Sequence, residues 1–505
     1  MRQFLFTLLL FCLSLPVMAQ AVLTPRNMAL GGGGSTYITD ANANFYNPAN
    51  LMIQDREGDF SFILGTGGLF IDALQNYTDL EDQLENIQHH IDVYDMDKSA
   101  PGVVDTDRIA MINDQYPGDN TLSDNRARYD LTLLGIKWKN NERAYSIALR
   151  SRTSSSFRVG RGWYENTFIS NDNARPLHNR SLIHRYQSLY EISFGYAESF
   201  QFLTGLTPRL DNFTIGIAPK FVLGGDYQNA EWKNHYEQQE GTDSLSHIQS
   251  FNYDASGDFG SSTSSYLRGM TLEVANSGSF SNNMANINGL GAGLDIGVTY
   301  LITLGDDLTA VQGNESPTKR SLRLSFSMTD IGFMSYASKE ISMTSEEDTN
   351  TVASIPELQA DESFTGARGQ YSTFIQKFSN QDPFLSAERS YQNFSTLLPM
   401  ALHGGMMLEV NRFKLMGDVS VGLTNNAFNS TKLISALGVE LRPISFFPLR
   451  GGVQFKADEL DFFCLGFALE TRHWDFSVAA QLTQSSSTDQ PAVAGVTLGA
   501  FQFHF

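Results

Sequence analysis

Four consecutive glycines, Gly31 to Gly34, are the first residues whose type and spacing could do chemistry, because glycine-rich loops bind phosphate through backbone N–H groups. Such a loop needs a buried strand before the glycines and a helix after them. The preceding run "LTPRNMAL" is short and contains Pro25, and no Gly-Lys-Ser or Gly-Lys-Thr follows Gly34. We therefore expect no nucleotide site in this segment.

Histidines and carboxylates are the next candidates for chemistry. The nine histidines include the adjacent pair His89-His90, but the chain has no Gly-X-Ser-X-Gly or His-Glu-X-X-His motif. Adjacent residues on a helix point in different directions, so this pair suits a solvated helix face better than a metal. The acidic run "GDDLTAVQGNESP" could collect calcium, but it lacks the spacing of an EF-hand. We predict no catalytic residues, no cofactor and no metal site.

The N-terminus has the pattern of an export signal. Arg2 precedes an apolar run, and Val17-Met18-Ala19 places small residues where a signal peptidase reads. We predict a signal peptide at residues 1–19 and no spanning helix later in the chain. Cys464 is then the only cysteine of the mature chain, with no internal disulfide partner. The formal charge of −20, without a basic patch, argues against nucleic acid as a partner.

The secondary-structure elements that must position any site are β-strands. They are indicated by apolar residues that alternate with polar or small ones. In "RAYSIALRSR", Tyr145, Ile147 and Leu149 alternate with smaller or polar residues, as on a strand with one apolar face. Fourteen such segments occur, at 58–66, 129–138, 143–154, 188–199, 212–224, 290–302, 320–329, 397–410, 412–422, 432–442, 448–457, 460–470, 473–482 and 493–505. Most are longer than the roughly 5 to 6 residues of soluble strands. This length and period are typical of strands that cross an outer membrane at a tilt.

We therefore predict an all-β fold: a transmembrane antiparallel β-barrel of about 14 strands at residues 58–505, with long extracellular loops. Short connections follow even-numbered strands, as at 411 and 471, with "LGDDLTAVQGNESPTK" as the one longer exception. The four long excursions follow odd-numbered strands, at 67–128, 155–187, 225–289 and 330–396. The run "YDLTLLGIKW" is apolar on both faces, so we expect a bulge or partial burial there. The alternative is a large soluble β-sandwich or solenoid, with shorter strands and no such parity.

The last strand carries an assembly signature. Phe501, Phe503 and Phe505 share one face, and the final residue is aromatic. This resembles the terminal signal by which the outer-membrane assembly machinery recognises barrel proteins. We expect that machinery and outer-membrane lipid to be partners, and the cell outer membrane of a Gram-negative bacterium to be the location.

The run from Gly31, Gly32, Gly33 and Gly34 through Asp40 to Asn47-Pro48-Ala49 resembles the N-terminal hatch of the long-chain fatty-acid transporter superfamily. Those barrels have fourteen strands. The chain also resembles a family of uncharacterised outer-membrane barrels of Bacteroidetes-type bacteria, through Thr329-Asp330-Ile331-Gly332-Phe333 and Leu398-Pro399. The resemblance implies that residues 20–57 form a hatch in the lumen. The alternative is a flexible periplasmic leader, since glycine and asparagine also suit disorder.

Alternation also predicts which polar residues face the lumen. This inward set comprises Arg150, Arg152, Glu191, Lys220, Asp295, Arg323, Glu440, Arg442, Lys456, Asp475 and Gln481. Mixed charges inside a barrel most often pair and rigidify the wall, and a ligand path is the alternative.

Three function classes stay open. A porin-like passive transporter for hydrophobic or amphipathic small molecules should have an apolar pocket beneath the outer loops and a gap past the hatch. A structural or secretion-accessory barrel, like the type IX secretion shuttle proteins, should have a filled lumen and a protein partner. An enzyme should have Ser and His converging at the rim. We favour the transporter.

Overall fold

The computed structural model describes residues 23–53, 59–72, 116, 120–123, 125–140, 142–163, 169–170, 176–200, 211–239, 241, 244–267, 286–304, 320–353, 387–456, 459–484 and 491–505. The predicted signal peptide, the pair His89-His90 and the acidic run at 305–317 lie outside these residues. Among the described residues, no helix is both long enough and apolar enough to cross a membrane.

Strands dominate the described chain. The strands are β1 Phe60–Asp72, β2 Asn125–Lys139, β3 Arg143–Val159, β4 Ile169–Ser170, β5 Pro176–Asn179, β6 Leu182–Phe200, β7 Asp211–Gln238, β8 Leu245–Ser256, β9 Gly289–Thr303, β10 Arg320–Tyr336, β11 Ile341–Val352, β12 Glu388–Ser390, β13 Phe394–Leu397, β14 Ala401–Val410, β15 Phe413–Gly422, β16 Ile434–Ile444, β17 Phe447–Lys456, β18 Glu459–Glu470, β19 Trp474–Gln484 and β20 Pro491–His504. The helices are α1 Pro25–Ala29, α2 Asp258–Leu267 and the 3₁₀ helices Ala41–Phe45, Pro48–Met52 and Arg161–Trp163.

Fourteen strands close an antiparallel ring, which confirms the predicted fold class. They are β1, β2, β3, β6, β7, β9, β10 and β14 to β20, and the ring closes where β1 pairs with β20. Each of the fourteen predicted segments overlaps one of these strands. Short connections at 411–412, 445–446 and 471–473 lie at one end of the barrel, here called the turn end. The opposite end is called the loop end.

Several strands continue far past the predicted ends, so parts of the four long excursions are not loops. Strand β7 has 28 residues, whereas roughly 9 to 11 cross a bilayer. Its distal half pairs with β6 and with β8, and β8 pairs with β11. We call the distal parts of β3, β6 and β7, together with β8 and β11, the projecting sheet. The predicted strand ended at Gly224, so the sequence did not indicate this sheet. Its apolar residues are buried against α2 and neighbouring strands and do not face lipid.

The barrel is apolar outside and polar inside. Outward side chains such as Phe326, Leu437 and Leu465 are 53%, 54% and 57% exposed, while Arg150, Arg323 and Asp295 are almost fully buried inside. This is the reverse of a soluble protein and suits a surface surrounded by lipid. Phe501 and Phe505 also lie on the outer surface, 51% and 67% exposed.

Register shifts interrupt the wall at several places, and two of them bear on the site. The register of β2 against β3 shifts between Thr132 and Leu134, which confirms the bulge expected in "YDLTLLGIKW". The register of β10 against β9 shifts between Met328 and Ile331. In that second bulge Asp330 adopts a φ of 59°, which turns its side chain into the lumen.

Candidate functional site

Residues 23–53 lie inside the lumen, and we call them the plug. All but Arg26, Gly32 and Asp40 are buried. Asp40 caps the first 3₁₀ helix by accepting from the backbone N–H of Asn42 at 2.8 Å, and Asn47 caps the second by accepting from Ala49 at 3.1 Å. Pro48 occupies the first position of that helix, where a missing N–H costs nothing. The Asp and Asn-Pro-Ala motifs are therefore helix starts.

Plug amides also bind the wall. The side-chain amide of Asn47 donates to Thr299 Oγ1 at 2.9 Å and to the carbonyl of Ser35 at 3.0 Å. Thr299 in turn donates to Asn50 Oδ1 at 2.7 Å. Because these amides have partners, their burial carries little penalty. Burial raises the pKa of the Tyr46 hydroxyl well above its usual range, so this group stays neutral.

Glycines on both sides make this fit possible. Gly31 and Gly32 have φ of +90° and +91°, a region that favours glycine, and Gly33 and Gly34 pack against Asp418 and Tyr46. On the wall, a Cβ at Gly216 would collide with Pro48 and Ala49, and one at Gly297 would collide with Asn47. We call the glycines that face the plug in this way the wall glycines: Gly135, Gly195, Gly216, Gly297, Gly405, Gly438, Gly452, Gly466 and Gly495.

Eight buried charges lie between the plug and the loop end, and we call them the central charge cluster. They are Arg128, Asp130, Arg150, Arg152, Glu191, Lys220, Asp295 and Asp330. Arg152 donates to Asp330 at 2.8 and 3.0 Å and to Glu191 at 2.7 Å. Lys220 donates to both oxygens of Asp295, at 2.9 and 2.8 Å. Four cations and four carboxylates balance, which makes burial of this set tolerable.

Aromatic rings cover the central charge cluster from both sides. On the plug side, the Arg150 guanidinium carbon lies 3.9 Å from the centre of the Phe45 ring. On the loop side, Arg152 and Arg128 lie 4.8 and 5.7 Å from the centre of the Phe428 ring. These distances are within the range of cation–π attraction. Phe428 belongs to the connection between β15 and β16, residues 423–433, which folds into the barrel.

Above the charges, the lumen becomes apolar. Phe428 packs with five other buried residues in what we call the upper apolar cluster: Leu189, Val222, Met334, Tyr336 and Leu398. Tyr227 and Phe394 extend it, with ring centres 4.8 and 5.4 Å from that of Tyr336. The transporter hypothesis expects an apolar pocket beneath the outer loops. The upper apolar cluster is an apolar region of this kind, but the protein's own side chains fill it.

The structure brings together only part of the predicted inward set. Arg150, Arg152, Glu191, Lys220 and Asp295 form most of the central charge cluster. Glu440 and Arg442 lie at the turn end, joined at 2.8 Å, with Arg450, Glu470 and plug residue Arg26 nearby. Arg323 pairs with Glu409 at 3.0 Å, and Asp475 pairs with His504 at 2.9 Å. Lys456 is half-buried at the loop end, and Gln481 donates to Gln454 at 3.3 Å.

Three members of the central charge cluster were missed. Arg128 precedes the segment predicted for β2, and the bulge in that strand obscured the inward position of Asp130. Asp330 was assigned to the excursion after β10. Its motif, Thr329-Asp330-Ile331-Gly332-Phe333, was the available signal, because it marks the bulge.

One small cavity lies beside the plug. It has a volume of about 30 Å³ and is lined by Leu23, Asn27, Met28, Phe70 and Gln454, among others. It has room for about one water molecule. The gap past the hatch that the transporter hypothesis expects is therefore not open at this place. Within the described ranges, no group of three or more histidine, cysteine or carboxylate side chains is placed to hold a metal ion.

Together these features define a transmembrane β-barrel that holds an N-terminal plug and an inserted loop in its lumen. The chain belongs to a family described as "Family of unknown function (DUF5723)", whose model matches residues 84–480. A search of curated proteins found no match.

Solved structures give weak likenesses over nearly the whole chain. A TodX deltaS2S3 mutant monoaromatic hydrocarbon channel is 8% identical, with a TM-score of 0.43 and coverage of 97% of this chain and 99% of its own. The CymD monoaromatic hydrocarbon channel is 10% identical, with a TM-score of 0.41 and coverage of 96% and 98%. A Pseudomonas aeruginosa FadL homologue is 8% identical, with a TM-score of 0.39 and coverage of 96% and 97%. At these values the likenesses carry no argument about function.

Proposed function

We propose that this protein lies in the outer membrane of a Gram-negative bacterium and lets hydrophobic or amphipathic small molecules cross passively. The observation that carries the proposal is the position of Phe428. This loop residue is 3% exposed and lies inside the lumen, with the upper apolar cluster on one side and two guanidinium groups on the other. A site that accepts a phenyl ring from its own loop has the shape and polarity to accept a ring or alkyl chain from a ligand.

The surroundings of Phe428 also suggest which ligands would suit the site. The upper apolar cluster offers dispersion contacts, and burial of apolar surface contributes about 25 cal/mol per Å². Arg152 and Arg128 present guanidinium faces that attract an aromatic ring or a polar end group. A molecule with an apolar body and one polar end matches this division.

Several individually weak hydrogen bonds join the Phe428 loop to the rest of the barrel. Ser154 Oγ donates to the carbonyl of Ala427 at 2.6 Å, and the Asn429 amide donates to the carbonyls of Pro399 and Met400. Each such bond contributes roughly 0.5 to 1.5 kcal/mol, so a ligand that buries a ring can compensate for their loss. In this mechanism the ligand displaces the loop first, and a shift of the plug then opens the turn end.

Binding of a phenylnaphthylamine dye to the purified barrel in detergent tests this proposal. Replacing Phe428 with Ala should empty the site and raise dye binding several-fold, because the apolar walls remain. Phe333→Ala is the matched control, since Phe333 lies on the outer surface and is 55% exposed. Equal dye binding by the two variants and the unmodified protein would remove the basis for the transporter.

The second candidate is a structural or secretion-accessory barrel that acts through a protein partner. Its supporting observation is the close packing of the plug against the wall glycines. Cross-linking in intact outer membranes distinguishes the two candidates. A stoichiometric protein partner, together with no dye uptake by the Phe428→Ala variant, would favour the accessory role.

A further inference from the structure

A chain of three side chains lies on the projecting sheet, on the face opposite the lumen. Ser155 on β3 has its Oγ 3.2 Å from Nε2 of His184 on β6. Nδ1 of the same imidazole lies 3.1 Å from Oε1 of Gln228 on β7. The neighbouring Ser154 bonds the Phe428 loop in the lumen, and successive strand residues face opposite sides, so Ser155 points away from the lumen.

The contact with the Gln228 amide oxygen favours one tautomer of the imidazole. An amide oxygen can only accept, so Nδ1 of His184 carries the proton that bonds Gln228. Nε2 is then the unprotonated nitrogen, and it accepts the hydroxyl proton of Ser155. This is the arrangement of a nucleophile, a general base and a residue that orients the base.

The surroundings are apolar on two sides and partly open. The ring centres of Phe157 and Phe259 lie 5.9 and 6.2 Å from that of His184, both edge-on. Phe259 belongs to α2, which covers the aromatic core of the projecting sheet. Ser155 and His184 are half-buried, whereas Gln228 is fully buried. The hydroxyl is therefore reachable, and its orienting residue is held firmly.

We propose that Ser155 is the nucleophile of a second, hydrolytic site, with His184 as general base and Gln228 as positioning residue. The substrate class is a carboxylic ester with an apolar acyl chain, because two phenyl edges flank the base. This inference goes beyond transport and does not depend on it. It also differs from the expectation that the protein has no catalytic residues.

The reaction balances with water as the only co-reactant. Ser155 Oγ bonds to the ester carbonyl carbon while its proton moves to His184 Nε2. The bond to the alcohol oxygen then breaks as Nε2 returns that proton to the departing alcohol. Water next attacks the acyl-serine and gives a proton to Nε2. Cleavage of the acyl-serine bond releases the carboxylic acid, and Ser155 recovers its proton.

A fluorophosphonate probe tests the site on the full-length folded barrel, with mass spectrometry to locate the modified residue. We expect the probe on Ser155, loss of labelling in Ser155→Ala, and labelling about 100-fold slower in His184→Ala, as for removal of a general base. Ser188→Ala is the matched control, since Ser188 is a buried serine of the same sheet that bonds Thr153 at 2.6 Å. It should be labelled like the unmodified protein.

The positioning role of Gln228 must be tested by a measurement that simple loss of structure would not change. In Gln228→Glu a carboxylate faces the imidazole, which favours its protonated form and should raise the pH midpoint of labelling by about one unit or more. Gln228→Ala should slow labelling without that rise. Modification of any residue other than Ser155, labelling no faster than in heat-unfolded protein, or an unchanged pH midpoint in Gln228→Glu would overturn the proposal. Because the mapping uses unmodified protein, a variant that fails to fold does not prevent the test.

Discussion

Arg152 binds Asp330 through both terminal nitrogens of its guanidinium group, at 3.0 and 2.8 Å, although 178 residues separate them in the chain. The pair connects β3 to the bulge of β10 across the lumen. It is buried, and its hydrogen bonds continue to Glu191 and, through Lys220, to Asp295. The positive φ of Asp330 therefore brings its carboxylate into contact with both Arg152 and Lys220.

Breaking this pair should destabilise the barrel strongly. Arg152→Ala leaves Asp330 and Glu191 short of a buried cation, and loss of one member of such a pair costs about 3 to 5 kcal/mol. We expect the barrel to unfold in detergent at a lower urea concentration. The gel shift of unheated samples measures the folded fraction at each urea concentration. The double variant Arg152→Ala, Asp330→Ala should recover part of the loss, since no orphan charge is left at position 330.

The exposed pair Arg143–Glu198, 3.3 Å apart, serves as the control for this prediction. Arg143→Ala should leave the urea midpoint within error, because water already solvates both groups. A midpoint for Arg152→Ala equal to that of Arg143→Ala would show that the central charge cluster does not hold the wall.

A larger residue at a wall glycine should displace the plug. Gly216→Val places a branched side chain where Pro48 and Ala49 now lie, and backbone atoms cannot yield. We expect a barrel that still forms but conducts ions in planar bilayers. Gly417→Ala is the control, because a Cβ there meets only Leu437 at an ordinary 3.5 Å. Closed channels in both variants would refute the close fit of wall and plug.

Removing residues 20–57 should leave a barrel that assembles, since every wall strand remains, and raise its conductance. A cysteine placed at Asn47, which is fully buried, should resist a bulky thiol reagent added from the periplasmic side. Unchanged conductance together with fast labelling would mean that this segment is a leader outside the lumen.

Changing Phe503 and Phe505 to Ser should strongly lower the amount of assembled barrel in cells. Both residues lie at the closing seam, where the Phe505 ring is 6.1 Å from that of Phe60 and the Phe503 ring 6.4 Å from that of Phe62. The backbone N–H of Phe505 also donates to the carbonyl of Phe60 at 2.9 Å. The measurement is the folded fraction on unheated gels. Normal assembly would mean that the ending is not a recognition signal.

Alternation predicted the wall because the two faces of a barrel strand meet different media. Tyr145, Ile147 and Leu149 follow a period that depends only on which side faces lipid. The projecting sheet was missed because the alternation of lipid-facing and lumen-facing side chains holds only for the part of a strand that crosses the membrane. Beyond it, Trp232 and Tyr253 are buried by α2 and neighbouring strands, a tertiary contact that no local period encodes.

The site was less predictable than the wall. Inward parity gave Arg150, Arg152 and Lys220, but not how they pair, since pairing depends on which strands face each other across the lumen. Asp330 escaped because the predicted strand ended at residue 329, whereas β10 continues through a bulge that turns Asp330 inward. Ser155, His184 and Gln228 come from three strands and share no motif, so only the register of β3, β6 and β7 brings them together.

The plug precedes β1 in the chain, and the ring closes where β20 meets β1, so the strand that completes the wall lies far from the plug in sequence. The wall glycines hold residues 23–53 in close contact with the barrel wall. We therefore expect the plug to be in place before the ring closes, so that the lumen is not empty at any stage of assembly.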